Sequence, residues 1–234
     1  MRNRKVKDPH YDIKESFNEK HGFAEYSEIA IKLLKKTISI LNNHKINHFL
    51  ISGTLLGYVR HNGFIPWDDD MDILVDNNIL LKLDAILEEN REQICIVKKD
   101  NHIKVCFIDH GIDVLGAWSG FWNQYVLNTG AKYKWPFIDL FVYDETAECL
   151  EFFGKAWELG KFFPPTKVDF LGVDAFIPNT PEYFLTMNFG SDYMEVYKSN
   201  RYIHKKEQMV SKCVTISKHM YDTIIGVSDG KLER

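Results

Sequence analysis

The chain is poor in the residues that staple or thread a protein. Its cysteines are only four, at 95, 106, 149 and 213. No two stand at the short spacing of a zinc knuckle. A disulfide scaffold and a zinc ribbon are therefore excluded, and the cysteines read as free thiols of a cytosolic protein, mostly core. Long apolar runs are missing too. The best stretch, IAIKLLKKTISIL, is broken by three lysines and reads as an amphipathic helix. The basic start, MRNRKVKD, has no apolar segment behind it. Neither a secretory leader nor a transmembrane segment is expected, and the expected location is cytoplasmic, with peripheral membrane association still open. A basic surplus is also lacking: 29 Lys and Arg stand against 33 Asp and Glu, a net charge of −4. Nucleic-acid scaffolds are usually basic, so no nucleic-acid partner is expected. There is no internal repeat, no low-complexity tract and no linker.

What is present suits one globular core of 234 residues, 45% hydrophobic and 26% charged. Residues 1–22 are mainly polar and read as a flexible arm, 23–225 as a single domain and 226–234 as a polar tail. Ile29, Leu33, Leu34, Ile38 and Leu41 fall at helical spacing within 23–43. INHFLIS (46–52) reads as a strand, and TLLGYVRHN opens a short helix after Gly53. MDILV (71–75) is a second strand and NNILLKLDAILEEN (77–90) a helix with Asn at its cap. ICIVKK and IKVCFID pair around a turn, and WPFIDLFVYD (135–144) is a further strand. AECLEFFGKAWELGKFF is open between a helix and a helix followed by a strand. PEYFLTMNFG (181–190) is a helix ended by Gly190. The fold class expected is α+β, with a mixed sheet and flanking helices.

The chemistry concentrates in GTLLGYVRHNGFIPWDDDMDILV, residues 53–75. Alternation puts Asp70 and Asp72 on one face of a strand, about 6–7 Å apart. Such a pair repels itself unless a cation intervenes, and hard oxygen ligands suit Mg²⁺ or Mn²⁺. Asp139 lies in a third strand between Ile138 and Leu140, which face the other way, into packing. A lone buried acid there costs several kcal/mol, and completing the same metal site makes sense of it. Gly53 and Thr54 follow a strand and open a helix, which offers backbone N–H groups to a phosphate. Arg60 adds a forked donor, and Pro66-Trp67 stiffens the approach to the acids. His61 is open between a phosphate contact and a cap, and Asp68 and Asp69 between supporting the site and capping the loop. Trp118, Trp122 and Trp135 read as core before sugar platform. HKK (204–206) reads as a solvated face that could meet an anionic acceptor. Strand, small-residue turn, helix, acid pair and lone acid together have the logic of a metal-assisted nucleotidyltransferase-type site.

Residues 52–75 resemble the signature of the LicD family, the phosphocholine transferases whose animal relatives include fukutin and fukutin-related protein. The likeness rests on Gly53, Thr54, Leu55, Leu56, Gly57, Arg60, His61, Gly63, Phe64, Ile65, Pro66, Trp67, Asp68, Asp69, Asp70 and Asp72. FIDLFVYD is similar to the family strand that carries the third acid, and PEYFLTMNFGSDYMEV to its C-terminal segment. Tyr58 departs from the pattern, where a small residue is usual. The resemblance implies a nucleotidyltransferase-like fold and transfer of a substituted phosphate, phosphocholine or a polyol phosphate, from a CDP-linked donor to a glycan hydroxyl. It assigns Asp70, Asp72 and Asp139 to catalysis and metal binding, Asp139 also to deprotonating the acceptor, and Gly53, Thr54, Arg60 and Trp67 to the donor. A nucleotide-sugar glycosyltransferase and a silent binding module are the alternatives. Oligomeric state is open.

Overall fold

The computed structural model describes residues 11–114, 127 and 132–225. Residues 11–22 of the expected arm are folded. Tyr11–Ser16 forms helix α1, and Phe17 behind it is fully buried, edge-on to Trp67 at 4.8 Å between ring centroids. That aromatic contact gives residues 11–22 a core anchor that a count of polar residues does not reveal. Residues 1–10, the tail from 226, and Trp118 and Trp122 lie outside the described residues.

The 23–43 helix forms as α2, Ser27–Asn43, after a tight turn at Ala24–Tyr26. Strand β1 (His48–Leu50) is short because Ser52 adopts a positive φ of 47° and turns the chain into α3 (Ser52–His61). Then come β2 (Asp72–Asp76), α4 (Asn78–Asn90), and the hairpin β3 (Ile94–Lys99) and β4 (His102–Phe107). A small ribbon pairs β5 (Ile112–Asp113) with β6 (Lys134–Trp135), and β7 (Phe137–Glu145) follows.

The segment left open between helical alternatives is instead a hairpin, β8 (Cys149–Phe152) and β9 (Lys155–Glu158), ending in the one-turn helix α5 (Leu159–Phe162). The reason is local. Phe153 and Gly154 both take positive φ, 54° and 68°, which makes a two-residue turn. Leu150, Phe152 and Trp157 then share the buried side. Beyond it lie the hairpin β10 (Thr166–Phe170) and β11 (Val173–Ile177), α6 (Pro181–Phe189), β12 (Val196–Lys198), β13 (Tyr202–Ile203), β14 (Gln208–Met209), β15 (Thr215–Ser217) and α7 (Lys218–Ile224). Gly190 closes α6 at φ 100°, as expected.

The main sheet runs β1-β2-β7-β4-β3, with β8 and β9 continuing from the far end of β7. β2 and β7 are parallel while β1·β2, β4·β7 and β3·β4 are antiparallel, so the sheet is mixed and the fold is α+β. Alternation sends Leu140 of β7 and Ile103 and Val105 of β4 to one face. There they meet Ile40 and Leu41 of α2 and Ile79, Leu83 and Ile86 of α4. The opposite parity gives the other face Asp72, Asp139, Phe141, His102 and Lys104.

Helix α3 carries a glycine in its interior because its C-terminal link folds back on it. A Cβ at Gly57 would lie 2.5 Å from the Gly63 carbonyl oxygen. Alanine is the better helix former by about 1 kcal/mol. The clash with backbone outweighs that, at about 1–3 kcal/mol for overpacking. Gly57→Ala is therefore expected to lower the melting temperature, and a rise in a thermal melt would contradict the packing described.

Candidate active site

Three chain segments are stitched together by hydrogen bonds from the backbone amides. Asp72 N–H donates to Thr54 Oγ1 at 2.8 Å, Ile51 N–H to the Asp72 carbonyl at 3.2 Å, and Asp139 N–H to the Met71 carbonyl at 2.8 Å. Asp72 and Asp139 are directly paired across β2 and β7. The start of α3, the acidic run and the FID strand therefore meet at one sheet position. Asp70 lies before β2, so the strand alternation expected to place Asp70 and Asp72 on one face does not apply to it.

The carboxylates do not stand alone there. Asp139 Oδ1 is 2.6 Å from His102 Nε2 and 2.5 Å from Lys104 Nζ. Lys104 is itself buried and lies 3.7 Å above the Phe137 ring. Asp70 Oδ2 is 3.0 Å from His204 Nε2. One ligand atom each from Asp70, Asp139 and His204 lies within 4.8 Å of the others. Asp69 is fully buried, and its carboxylate accepts from the His204 and Lys205 amides at 3.1 and 2.9 Å. Its carbonyl accepts from the Trp135 indole at 2.6 Å. Asp69 thus fixes the turn that presents His204. His204–Lys206 is no solvated face: its first two residues are half-buried and folded onto the acids.

The electrostatics show too much negative charge for the cations at hand. Burial, then the Asp70 and Asp139 charges, push Asp72 well above the carboxylate range. Burial, then Asp70 and Asp69, do the same to Asp68. Burial lifts Asp69 to about 6 against the pull of His204. Burial also opposes ionisation of Asp70, but His204 outweighs it and holds Asp70 below its ordinary value. At Asp139 burial is outweighed by Lys104 and His102, which keep it well below the usual range. Burial opposes a charge on His204, yet Asp70 and Asp69 raise it to about 10. Two carboxylates converging in a field that favours added positive charge suit a hard divalent cation such as Mg²⁺ or Mn²⁺, for which the neighbouring His204 imidazole is the less usual donor.

Beside the acids opens a cavity of about 380 Å³, lined in part by Gly53, Arg60, Trp67, Asp68, Tyr193 and Arg201. Of the residues assigned to the donor, Gly53, Arg60 and Trp67 border it. Gly53 is pressed against Asp68: a Cβ there would lie 2.5 Å from Asp68 Oδ2. Thr54 is not among the lining residues, because its buried hydroxyl holds the Asp72 amide. Trp67 presents little surface, being 1% exposed with its indole N–H on the Lys198 carbonyl at 3.0 Å. His61 lies beside Trp67 and accepts from Arg60 Nε at 3.0 Å. Burial, with Arg60 adding, lowers His61 to about 4, so it is a neutral ring and supplies no charge to a phosphate. Tyr58 rests edge-on to Phe170, and Trp135 is core.

Arg60 does more than complement a helix end. Its Nη1 donates to the Tyr193 and Val196 carbonyls at 2.8 and 3.2 Å, and its guanidinium lies 4.3 Å above the Tyr197 ring. Lysine cannot reproduce that planar grip. Arg60→Lys is expected to cost about 1–3 kcal/mol of stability through the lost charged hydrogen bonds. A melting curve identical to wild type would return Arg60 to a simple surface charge.

Sequence reasoning missed His102 and Lys104, and placed His204 on a solvated face, not among the acids. A signal existed for two of them: HIKVCF alternates, so His102 and Lys104 share a face within an otherwise apolar strand. His204 joins the site only through the Asp69 clamp, more than a hundred residues away, and has no local signal.

The fold and site define an α+β protein with an acid-rich candidate cation centre between paired strands. Residues 45–180 match the family model described as LicD/FKTN/FKRP, nucleotidyltransferase domain, which is more than half of the chain. The chain belongs to that family. It is similar to the lipopolysaccharide cholinephosphotransferase LicD of Haemophilus influenzae, 28% identical over 127 residues, 51% of this chain and 43% of that protein. It is also similar to an uncharacterized protein of Rickettsia prowazekii, 36% identical over 75 residues, 32% of this chain and 28% of that protein. The matches thus span less than half the length of these relatives. Among the described residues no helix is long and apolar enough to cross a membrane.

Proposed function

We propose that the chain transfers a phosphocholine-type substituted phosphate from a CDP-activated donor to a glycan hydroxyl, with Mg²⁺ or Mn²⁺ as cofactor. The observation that carries this reading is the meeting of Asp70, Asp139 and His204 within 4.8 Å. The name of the Haemophilus relative, a lipopolysaccharide cholinephosphotransferase, supports the transferred group and the glycan acceptor. Asp70, Asp139 and His204 would hold the cation, with Asp72 beside them. When bound, the ion neutralises charge on the donor diphosphate and on the departing nucleotide phosphate.

The remaining work falls to the chain's own groups. Thr54 fixes the main chain at Asp72, and Asp69 fixes the main chain at His204. Lys104 and His102 keep Asp139 ionised. So gripped, Asp139 is a weak base and serves as a ligand, which narrows the role first expected of it. The cavity with Arg60 and Arg201 receives the anionic donor, and its volume is within the common range for small-molecule sites, about 300–1,000 Å³. In the reaction the acceptor oxygen forms a bond to the phosphorus bearing choline. The bond from that phosphorus to the bridging oxygen breaks, and CMP leaves with the electron pair. The acceptor's proton passes to another carboxylate of the cluster or to solvent.

The test is CMP release, followed by ³¹P NMR, from CDP-choline, CDP-ribitol and CDP-glycerol in Mg²⁺, Mn²⁺ or EDTA, with bacterial lipopolysaccharide oligosaccharides supplied as acceptor hydroxyls. CMP is expected from a CDP conjugate only when the cation is present. Consumption of a UDP- or GDP-sugar instead would favour a glycosyltransferase. Inert behaviour toward every donor would favour a binding module.

A further inference from the structure

We infer that the groove between the β3–β4 turn and the β8–β9 hairpin is the acceptor subsite, and that it takes a pyranose ring of the glycan. The word acceptor rests on the function proposed above. The groove as a sugar site rests on its own geometry.

The groove has a volume of about 900 Å³ and is separate from the arginine cavity. His102 stands in its wall, and its Nε2 lies 2.6 Å from Asp139 Oδ1. The groove therefore ends one side chain away from the acids. Its aromatic surface is continuous. The His102 ring stacks on Phe141 at 4.6 Å and 18°, and Phe153 meets Phe141 edge-on at 4.8 Å.

Phe153 is the unusual member. It is 45% exposed, at the tip of a hairpin, with φ 54°. That turn position favours Asn, Asp or Gly, and a bulky residue at positive φ is an outlier. A large ring shown to solvent on a backbone that disfavours it suggests a surface kept for a ligand. A second tension lies beside it. Asp144 and Glu151 are directly paired across β7 and β8, and both line the groove. Like charges opposite one another destabilise a strand pair.

A pyranose resolves both features. Its apolar C–H face stacks on a ring, and its hydroxyls donate to carboxylates, which only accept. A nucleotide diphosphate could also stack, and Lys99 and Lys155 line the groove as well, but Asp100, Asp144 and Glu151 outnumber them. Its charge belongs with Arg60 and Arg201 in the other cavity.

The experiment is saturation-transfer-difference NMR on the full chain, with methyl β-galactopyranoside, methyl β-glucopyranoside and their N-acetylamino analogues as probes. Transfer to sugar ring protons is expected in the wild type. It should fall at least tenfold in Phe153→Ala and in Glu151→Ala, and persist in Asp70→Asn. Should Phe153→Ala fail to fold, the exposed Glu151 position decides. No transfer to any glycoside in the wild type, or undiminished transfer in folded Phe153→Ala or Glu151→Ala, would overturn the assignment. Failure of the transferase reading registers separately, as no CMP from CDP-choline in the wild type whatever the glycosides do.

Discussion

Turnover in Asp139→Asn is expected to fall by about three orders of magnitude, or about 4 kcal/mol of transition-state stabilisation. Asn keeps the shape of the side chain and one oxygen for His102 and Lys104. It gives up the full negative charge that makes the residue a cation ligand. The same change leaves the buried Lys104 ammonium without its counter-charge, and breaking a buried pair in this way costs about 3–5 kcal/mol at the upper end. The melting temperature should therefore fall as well. The two effects separate when rates are measured far below the melt, where nearly all molecules are folded. A core-edge role for Asp139 predicts the stability loss with a rate changed only modestly. Asp72→Asn makes the opposing control. Burial and the neighbouring carboxylates already disfavour the Asp72 charge, so its removal should raise the melting temperature of metal-free protein.

The second large effect is on stability against pH. His204 has its folded value raised to about 10 from an ordinary 6.5. The folded state thus holds that proton more tightly than the unfolded chain does. The stabilisation is fully present below 6.5 and is lost as pH rises toward 10. EDTA-treated protein should therefore melt progressively lower across this window. Subtracting the profile of His204→Gln removes the contribution of other groups titrating there. With saturating Mg²⁺ the slope attributed to His204 should vanish across this window and turn upward only below 6.5, since a ligating imidazole must shed its proton before it binds. An EDTA profile unchanged by His204→Gln would remove His204 from the acid cluster.

Much of this centre could be read along the chain because strand parity is a local property. Parity sets Asp139 opposite in direction to Ile138 and Leu140 within its own strand, but that Asp139 shares a face with Asp72 comes from the register of β2 on β7. The order of the acids and the start of α3 followed from the same logic. The hairpin at 149–158 was not legible as such. Its apolar spacing fits more than one period until the positive φ values of Phe153 and Gly154 select the turn. The buried Phe17 escaped notice because its partner, Trp67, lies fifty residues on. His204 escaped for a related reason. A backbone turn held by a distant carboxylate leaves no pattern in its own neighbourhood. Arg60 and Trp67 were assigned to the donor from the sequence, yet their bonds to Tyr193, Val196 and Lys198 depend on the return of the C-terminal segment.

The claim on which the rest depends is that these side chains hold a divalent cation, and Mn²⁺ titration followed by electron paramagnetic resonance tests it without any assay of turnover. Wild-type protein should take up Mn²⁺ saturably, in competition with Mg²⁺. Asp70→Asn and Asp139→Asn should each weaken that uptake at least tenfold while remaining folded at the temperature used. Equal Mn²⁺ uptake by wild type and both variants, or none by the wild type, would contradict the account.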